Sequence, residues 1–300
     1  MAAQAHQTTP TVVVDSRPAI SLHTFGYGAS HNSTLLREMA SASDGGSYFF
    51  IEEDKDVGRA FGDALGGILS VVAQTATLTV DVPASAKDLG VEIIEVCHDQ
   101  ALKRDTGAFT INLGDFYSEE RRDLVVSVVL ASTPSTLPIP HITAELSYLN
   151  TVEKRWVSGD KVLVSIARTQ NADLADENAH VASQAFRVFA AKEMEEAASL
   201  ASAGRFRDAK AKFKRTKDKY SKCSSAVQQS TQAIELIQDA NKMDHYLDDE
   251  REYKTKGHGY MSTKLKAHKA QRGAVCNDET YSATYGTNKK RSKLAKNFQN

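Results

Sequence analysis

Two histidines flank a short glycine turn in "ISLHTFGYGASHNSTLLREMA", residues 20–40: His23 and His31 on either side of Gly26-Tyr27-Gly28. An apolar run, a glycine turn and a polar helix start is the layout that holds phosphate on backbone amides. The dinucleotide fingerprint needs Gly-x-Gly-x-x-Gly, and its third position here is His31. A nucleotide P-loop needs a closing Gly-Lys-Ser/Thr, and "GYGASHNST" has no lysine. Both phosphate readings fail on composition. A zinc site needs three or four ligands, and no cysteine or carboxylate stands close in sequence to the two histidines. Neither a Gly-x-Ser-x-Gly elbow nor an HExxH helix occurs. The plain reading is a strand-to-helix turn in which glycine relieves strain at positive φ, with structural histidines. Hydrolysis or group transfer through His23 or His31 is the remaining enzymatic reading, and no catalytic residue, cofactor or metal ligand is assigned.

The elements around this turn follow from periodicity. Residues 20–25 read as a strand. Residues 32–43 read as a helix capped by Ser30 or Asn32, with Leu35, Leu36 and Met39 on one side. "GGSYFFIE" is a strand after the Gly45-Gly46 turn. Residues 54–72 read as a second helix with Val57, Phe61, Leu65, Ile68, Leu69 and Val72 on one face. Gly58, Gly62 and Gly66 recur along it, each costing about 1 kcal/mol in a helix interior. Close approach to a sheet is the compensation this spacing predicts, and Gly66 and Gly67 belong to the structural glycine motif. Strand–helix–strand–helix is an α/β pattern.

From Ala76 the period changes. "ATLTVDV", "VEIIEVCH", "GAFTINL", "DLVVSVVLA", "ITAELSYLN" and "KVLVSIAR" alternate or run β-branched, separated by turns that include Gly114-Asp115. Short strands at this spacing predict a β-sandwich. Glu119 to Asp123 form a charge run that reads as a solvated turn, ordered by Asp115 and Glu119. Residues 172–249 carry helical periodicity, with Phe186, Phe189, Leu200, Phe206, Ala209, Phe213 and Tyr220 as seam residues and Gly204 as a break. "SAGRFRDAKAKF" resembles one tetratricopeptide hairpin, but an array needs about three repeats, so a helical hairpin or small bundle is predicted.

The fold class is therefore α+β and multidomain. The divisions are 1–18 as a disordered N-terminal tail, 19–73 as a partial α/β unit, and 74–170 as an antiparallel β-sandwich. Residues 171–255 are a helical arm and 256–300 a largely disordered basic tail.

The 300 residues carry a formal net charge of −1, which gives no global pull toward nucleic acid or anionic membrane. "RFRDAKAKFKRTKDKY" and "KKRSKLAK" are basic without interleaved stacking aromatics, which argues against nucleic acid. No apolar run approaches the ~20 residues of a membrane span. The start, "MAAQAHQTTP", has neither the basic nor the hydrophobic region of a secretory signal. Cys97, Cys223 and Cys276 form no CxxC pair, and such a sparse set predicts a reducing compartment. The expectation is cytoplasmic, with nuclear entry open through Lys289, Lys290 and Arg291.

Several stretches carry a family resemblance. The segment from "ISLHTFGYGAS" through "GGSYFFIE" to "GGILSVVAQTATLTV" resembles the C-terminal half of a von Willebrand factor A (vWA) domain. "GAFTINLGDFYSEERRDLVVSVVL" resembles the β-domain after that module in plant RING–vWA ubiquitin ligases of the wavy-growth type and their protist relatives. The C-terminal segment of that family is matched at Gly257, His258, Gly259 and Tyr260, then His268 and Gln271-Arg272. The resemblance implies a Rossmann-like α/β half and a protein-interaction role, as the substrate-binding part of a ubiquitin-ligase-like system.

The family's metal-ion-dependent adhesion site does not carry over. Asp15-Ser16 is followed by Arg17 and Pro18 rather than completing Asp-x-Ser-x-Ser. The RING cysteines do not carry over either, so neither metal binding nor ubiquitin transfer is assigned. A half sheet implies an unpaired edge. A fragment, a truncated gene model, a split protein and a partner that completes the sheet all remain open. The alternative reading is an extracellular metal-dependent adhesion protein, similar to inter-α-trypsin-inhibitor heavy chains, seen as a truncated fragment.

Overall fold

A computed structural model describes residues 20–28, 30–43, 46–132, 140–166, 177–272 and 285. Strand β1 (Thr24–Tyr27) leads to helix α1 (Ser33–Ser41), strand β2 (Tyr48–Ile51) and helix α2 (Asp54–Ile68). β1 and β2 pair in parallel, Thr24 against Tyr48 through Tyr27 against Ile51. All four residues of β2 are buried, so its unbroken Tyr-Phe-Phe-Ile run is that of a parallel strand covered on both faces. Asn32 starts α1 by accepting the Leu35 amide at 3.0 Å.

Two boundaries differ from the sequence expectation. The strand predicted over 20–25 is paired only from Thr24, because β2 supplies partners for Thr24 to Tyr27 alone. The helix predicted over 54–72 stops at Ile68, and Val71 and Val72 open strand β3. The reason is tertiary. The Ser70 carbonyl accepts from Ser118, and the Val72 carbonyl accepts from Thr151, so the sheet claims backbone groups that the helix would otherwise use. A close glycine approach is seen at Gly67, outside the predicted series Gly58, Gly62 and Gly66: a Cβ there would lie 3.1 Å from the Tyr117 hydroxyl.

The middle of the chain is antiparallel. It contains β3 (Val71–Asp81), a short helix α3 (Ala84–Lys87), β4 (Glu92–Val96), β5 (Ala101–Lys103), β6 (Phe109–Tyr117) and β7 (Val126–Val129). β8 (Pro140–Asn150), β9 (Arg155–Ser158) and β10 (Val162–Ser165) follow. One sheet runs β10-β8-β3-β6-β5, with β9 also on β8, and a second pairs β4 with β7. Val80, Ile93, Val96, Phe109, Ile111 and Leu113 from both sheets share one core. β5 and β9 escape a pattern search because they are short and exposed.

The last part is helical: α4 (Ala179–Ser202), α5 (Phe206–Ser221), α6 (Ser225–Gln228), α7 (Thr231–Tyr246), α8 (Glu250–Glu252), a π-helical turn (Tyr253–Gly257) and α9 (His258–Ala270). Phe186, Ala209 and Phe213 are core residues, with Leu200, Phe206 and Tyr220 packed against them. Phe189 instead lies under the Arg215 guanidinium, 5.6 Å from its ring centroid. Gly204 ends α4 at φ 75°, and the Arg205 amide turns back to the Leu200 carbonyl. The reading of 256–300 as a largely disordered tail is corrected over its first part: α9 carries eight buried residues. Charge misled that reading, because the lysines and histidines of α9 find partners on other elements.

Candidate functional site

The glycine turn resolves into two different jobs. Gly28 lies at φ 60° and makes the turn after β1. Gly26 is inside β1, and a Cβ there would stand 2.2 Å from the His31 imidazole. Gly26 is glycine because His31 lies against it. The ring then bridges two groups: Nδ1 donates to the Tyr27 carbonyl at 3.3 Å, and Nε2 accepts from the Tyr48 hydroxyl at 2.8 Å. The carbonyl can only accept, which sets the tautomer. His23 packs near Phe49, 6.3 Å between ring centroids. Gly46 is pressed against the Ala40 carbonyl, 2.1 Å from where a Cβ would sit. Gly66 is buried within α2, and Gly45 lies outside the described residues. Gly114, at φ 64°, sits opposite Ala76 where the β3–β6 register shifts. Among the described residues no group of three His, Cys, Asp or Glu side chains is placed to hold a metal ion.

The charge run 119–123 is not a solvated turn. Glu120 and Arg122 side chains are only 3% and 9% exposed. Glu120 accepts from Arg122 and from Arg272 at 2.9 Å each. It also accepts the Tyr117 amide at 2.7 Å, the turn-ordering task expected of Glu119. Burial pushes the Glu120 carboxyl up, but Arg272 and Arg122 outweigh it and hold it below its ordinary value. The Asp115 carbonyl accepts from Arg122 and Arg272, and its carboxylate accepts from Ser21 at 3.4 Å.

Arg272 and Gln271 close α9, so the turn is tied to the far end of the chain. Gln271, at φ 52°, donates to the Asp123 carbonyl at 2.8 Å and accepts the Asp123 amide at 2.9 Å. Arg187 of α4 joins the Asp123 carbonyl to that of His268, at 2.9 and 3.0 Å.

Tyr260, Lys264 and His268 recur every four residues and form one stripe of α9. All three meet Asp239 of α7. The Tyr260 hydroxyl donates to Oδ1 at 2.7 Å, Lys264 Nζ lies 3.2 Å from Oδ1, and His268 Nε2 donates to Oδ2 at 2.9 Å. Burial raises the Asp239 pKa, but the His268 and Lys264 contacts bring it below the ordinary carboxylate value. Lys264 and His268 are each 1% exposed, sealed from any substrate. His268 Nδ1 also meets the Tyr285 hydroxyl at 3.2 Å.

A third face of α9 meets the α/β part. His258 Nδ1 lies 2.9 Å from the Ser33 hydroxyl, Lys266 donates to the Gly46 carbonyl at 2.8 Å, and Gly259 fits against Phe50. Burial, with Arg272 nearby, pushes Lys266 down to about 8. The residues singled out in the C-terminal resemblance are thus largely the ones that make these contacts. Sequence reasoning missed Asp239, Lys264, Arg187 and Glu120. The four-residue spacing of Tyr260, Lys264 and His268 was the available signal.

On the other side of β2, the sheet is open. β1 pairs only with β2 among the described residues. Ile20 is 78% exposed, and Leu22, Tyr27, Leu35 and Met39 are also exposed. Phe61, Leu65, Ile68 and Leu69 of α2 and its end add further apolar surface. The basic helix α5 differs, because several of its cations are paired within the chain. Lys212 meets Glu196, Arg215 meets Glu193 at 3.1 Å, and Lys217 meets Asp244 at 2.7 Å. No described helix is long and apolar enough to cross a membrane.

No protein-family model matches the chain. Over 75 residues it is 31% identical to the E3 ubiquitin-protein ligase WAV3 of Arabidopsis thaliana. That match takes in 25% of this chain and 10% of the relative, so the chain spans a small part of that protein's length. The von Willebrand factor type A structure from Catenulispora acidiphila superposes with a TM-score of 0.55 at 14% identity, covering 85% of this chain and 58% of the other. The ArnB paralog VWA2 from Sulfolobus acidocaldarius gives 0.46 at 12% identity, over 83% and 56%. Fold and sequence point the same way: the chain has a vWA-like α/β fold and resembles proteins of the WAV3 type.

Proposed function

We propose that this chain is a non-catalytic protein-interaction module, acting as the substrate-binding part of a ubiquitin-ligase-like system. The observation that carries the reading is the open side of β1. Its backbone edge is bordered by Ile20, Leu22, Leu35 and Met39, all exposed. Exposed apolar residues near a sheet edge that carries no further described strand are what a protein partner covers. The WAV3 resemblance supplies the ubiquitin-system context.

In this reading residues 19–73 are the partial vWA half, 74–170 a β-sandwich, and 171 onward a helical arm that extends through α9. The division of labour is binding at β1 and support from α9. The compartment is cytoplasmic, with Lys289, Lys290 and Arg291 as a nuclear-entry run.

The test is a quantitative affinity capture with the full chain and a Leu22→Glu/Leu35→Glu double variant. A defined set of proteins, ubiquitin-system components or their targets among them, is retained by the first and lost by the second. Identical captures by the two chains would sink the proposal.

A further inference from the structure

A second exposed edge lies on the large sheet. β9 and β10 both pair with β8, one after the other, and form its outer border. Trp156, Val162, Leu163, Val164 and Ile166 are all exposed there, Leu163 by 59%. The exposed residues of β10 belong to both faces of the strand, so no described layer covers either side.

The backbone of this edge has an unusual register. The Gly159 amide donates to the Leu146 carbonyl, so Leu146 and its even-numbered neighbours in β8 face the border. Alternation then turns Val157 and Gly159 inward toward β8, and Val162 and Val164 likewise, through their partners Tyr148, Ala144 and Ile142. Trp156, Ser158 and Leu163 direct their amides and carbonyls outward, and the β8–β10 register shifts after Val164. Between the two inward residues Gly159 and Val162 stand two residues instead of one, Asp160 and Lys161. They form a bulge and both lie on the free edge.

We propose that two copies of this chain join edge to edge through β9 and β10, antiparallel about a two-fold axis between Asp160 and Lys161. This register sets Asp160 of each copy opposite Lys161 of the other. It also pairs Ser158 with Leu163, an outward residue meeting an outward residue, on each side of the axis. Without the bulge an axis at this point would set outward residues against inward ones, and no ladder would form. On one face Trp156 and the other copy's Leu163 become diagonal neighbours. On the other face Val157 meets Val164. A surface that complements itself in charge, in backbone direction and in apolar contact is what an isologous contact requires. The result is one continuous sheet across two copies, in a different sheet from β1 and independent of the function proposed for it.

Sedimentation of the full chain over a range of concentrations tests this, with circular dichroism to show that each surface variant is folded. The expected result is a reversible monomer–dimer equilibrium. Leu163→Lys and Asp160→Lys each weaken it by about tenfold or more, the latter because the introduced lysine then faces Lys161 of the other copy. The exchange Asp160→Lys/Lys161→Asp restores opposite charges across the axis and returns the dimer to near its original strength. A chain that stays monomeric at every attainable concentration overturns the proposal. So does a dimer indifferent to Leu163→Lys, or an exchange variant no stronger than Asp160→Lys alone.

Discussion

β1 and β2 are neighbours in one sheet, four residues each, yet they meet opposite surroundings. β2 is buried along its whole length, and α9 lies against it. β1 ends in an exposed Tyr27 and has one strand partner among the described residues. The difference does not come from hydrophobicity, since Leu22, Leu35 and Met39 beside β1 are as apolar as the residues around β2. It comes from what the rest of the chain brings over. The chain from α4 to Arg272 returns a helix to β2 and ties it down with buried charge, whereas no described element returns to β1. One side of the sheet is held by α9, and on the other no further described strand pairs; that is the side to which the proposed function assigns binding.

That contrast can be broken most severely at Asp239. Asp239→Asn removes the only carboxylate contacting Lys264 among the described residues. Leaving a buried charge without its counter-ion costs about 3 kcal/mol or more, read as a shift of the urea midpoint. The pH dependence follows the same logic. A carboxyl whose folded pKa is depressed contributes stability above its unfolded value, lost as pH falls through the folded one. The wild type should therefore weaken from about pH 5 downward, and Asp239→Asn should do so less steeply. Equal acid slopes would remove Asp239 from the account, and Glu120, depressed by its arginines, would be left to carry it.

Gly26→Ala probes the junction between the two sides. Its Cβ collides with the His31 ring, and displacing that ring from Tyr48 should cost about 1–3 kcal/mol. A thermal melt unchanged from wild type would mean that His31 has an alternative seat. The smallest expected effect is on the open side. Leu35→Asp should change stability by no more than about 0.5 kcal/mol, because the side chain is already 51% exposed. A large loss there would mean that α1 is buried in solution and that the two sides are less different than they look.

Element types were readable in advance wherever periodicity was strong. The buried run Tyr48 to Ile51, the seam Phe186, Ala209 and Phe213, and the strand series from Ala76 all stand as elements in the structure. The errors cluster where local chemistry and distant partners disagree. "SEERRD" is as polar as any loop, and the partner that buries it, Arg272, lies 152 residues beyond Glu120. The helix predicted to continue to Val72 yields to a sheet whose hydrogen-bond partners, Ser118 and Thr151, are far along the chain.

Composition and spacing were enough for the α/β opening and for the change to β and then to helical period. These depend on side-chain size, branching and backbone freedom, which act within a few residues. Which charged residues are buried, and which of two adjacent strands stays open, depended on long-range pairing. An ion costs too much to bury unless its counter-ion arrives, and the chain must fold completely before Arg272 reaches Glu120 or Lys264 reaches Asp239. Local sequence carries the cost of burial, and only the assembled molecule supplies the compensation.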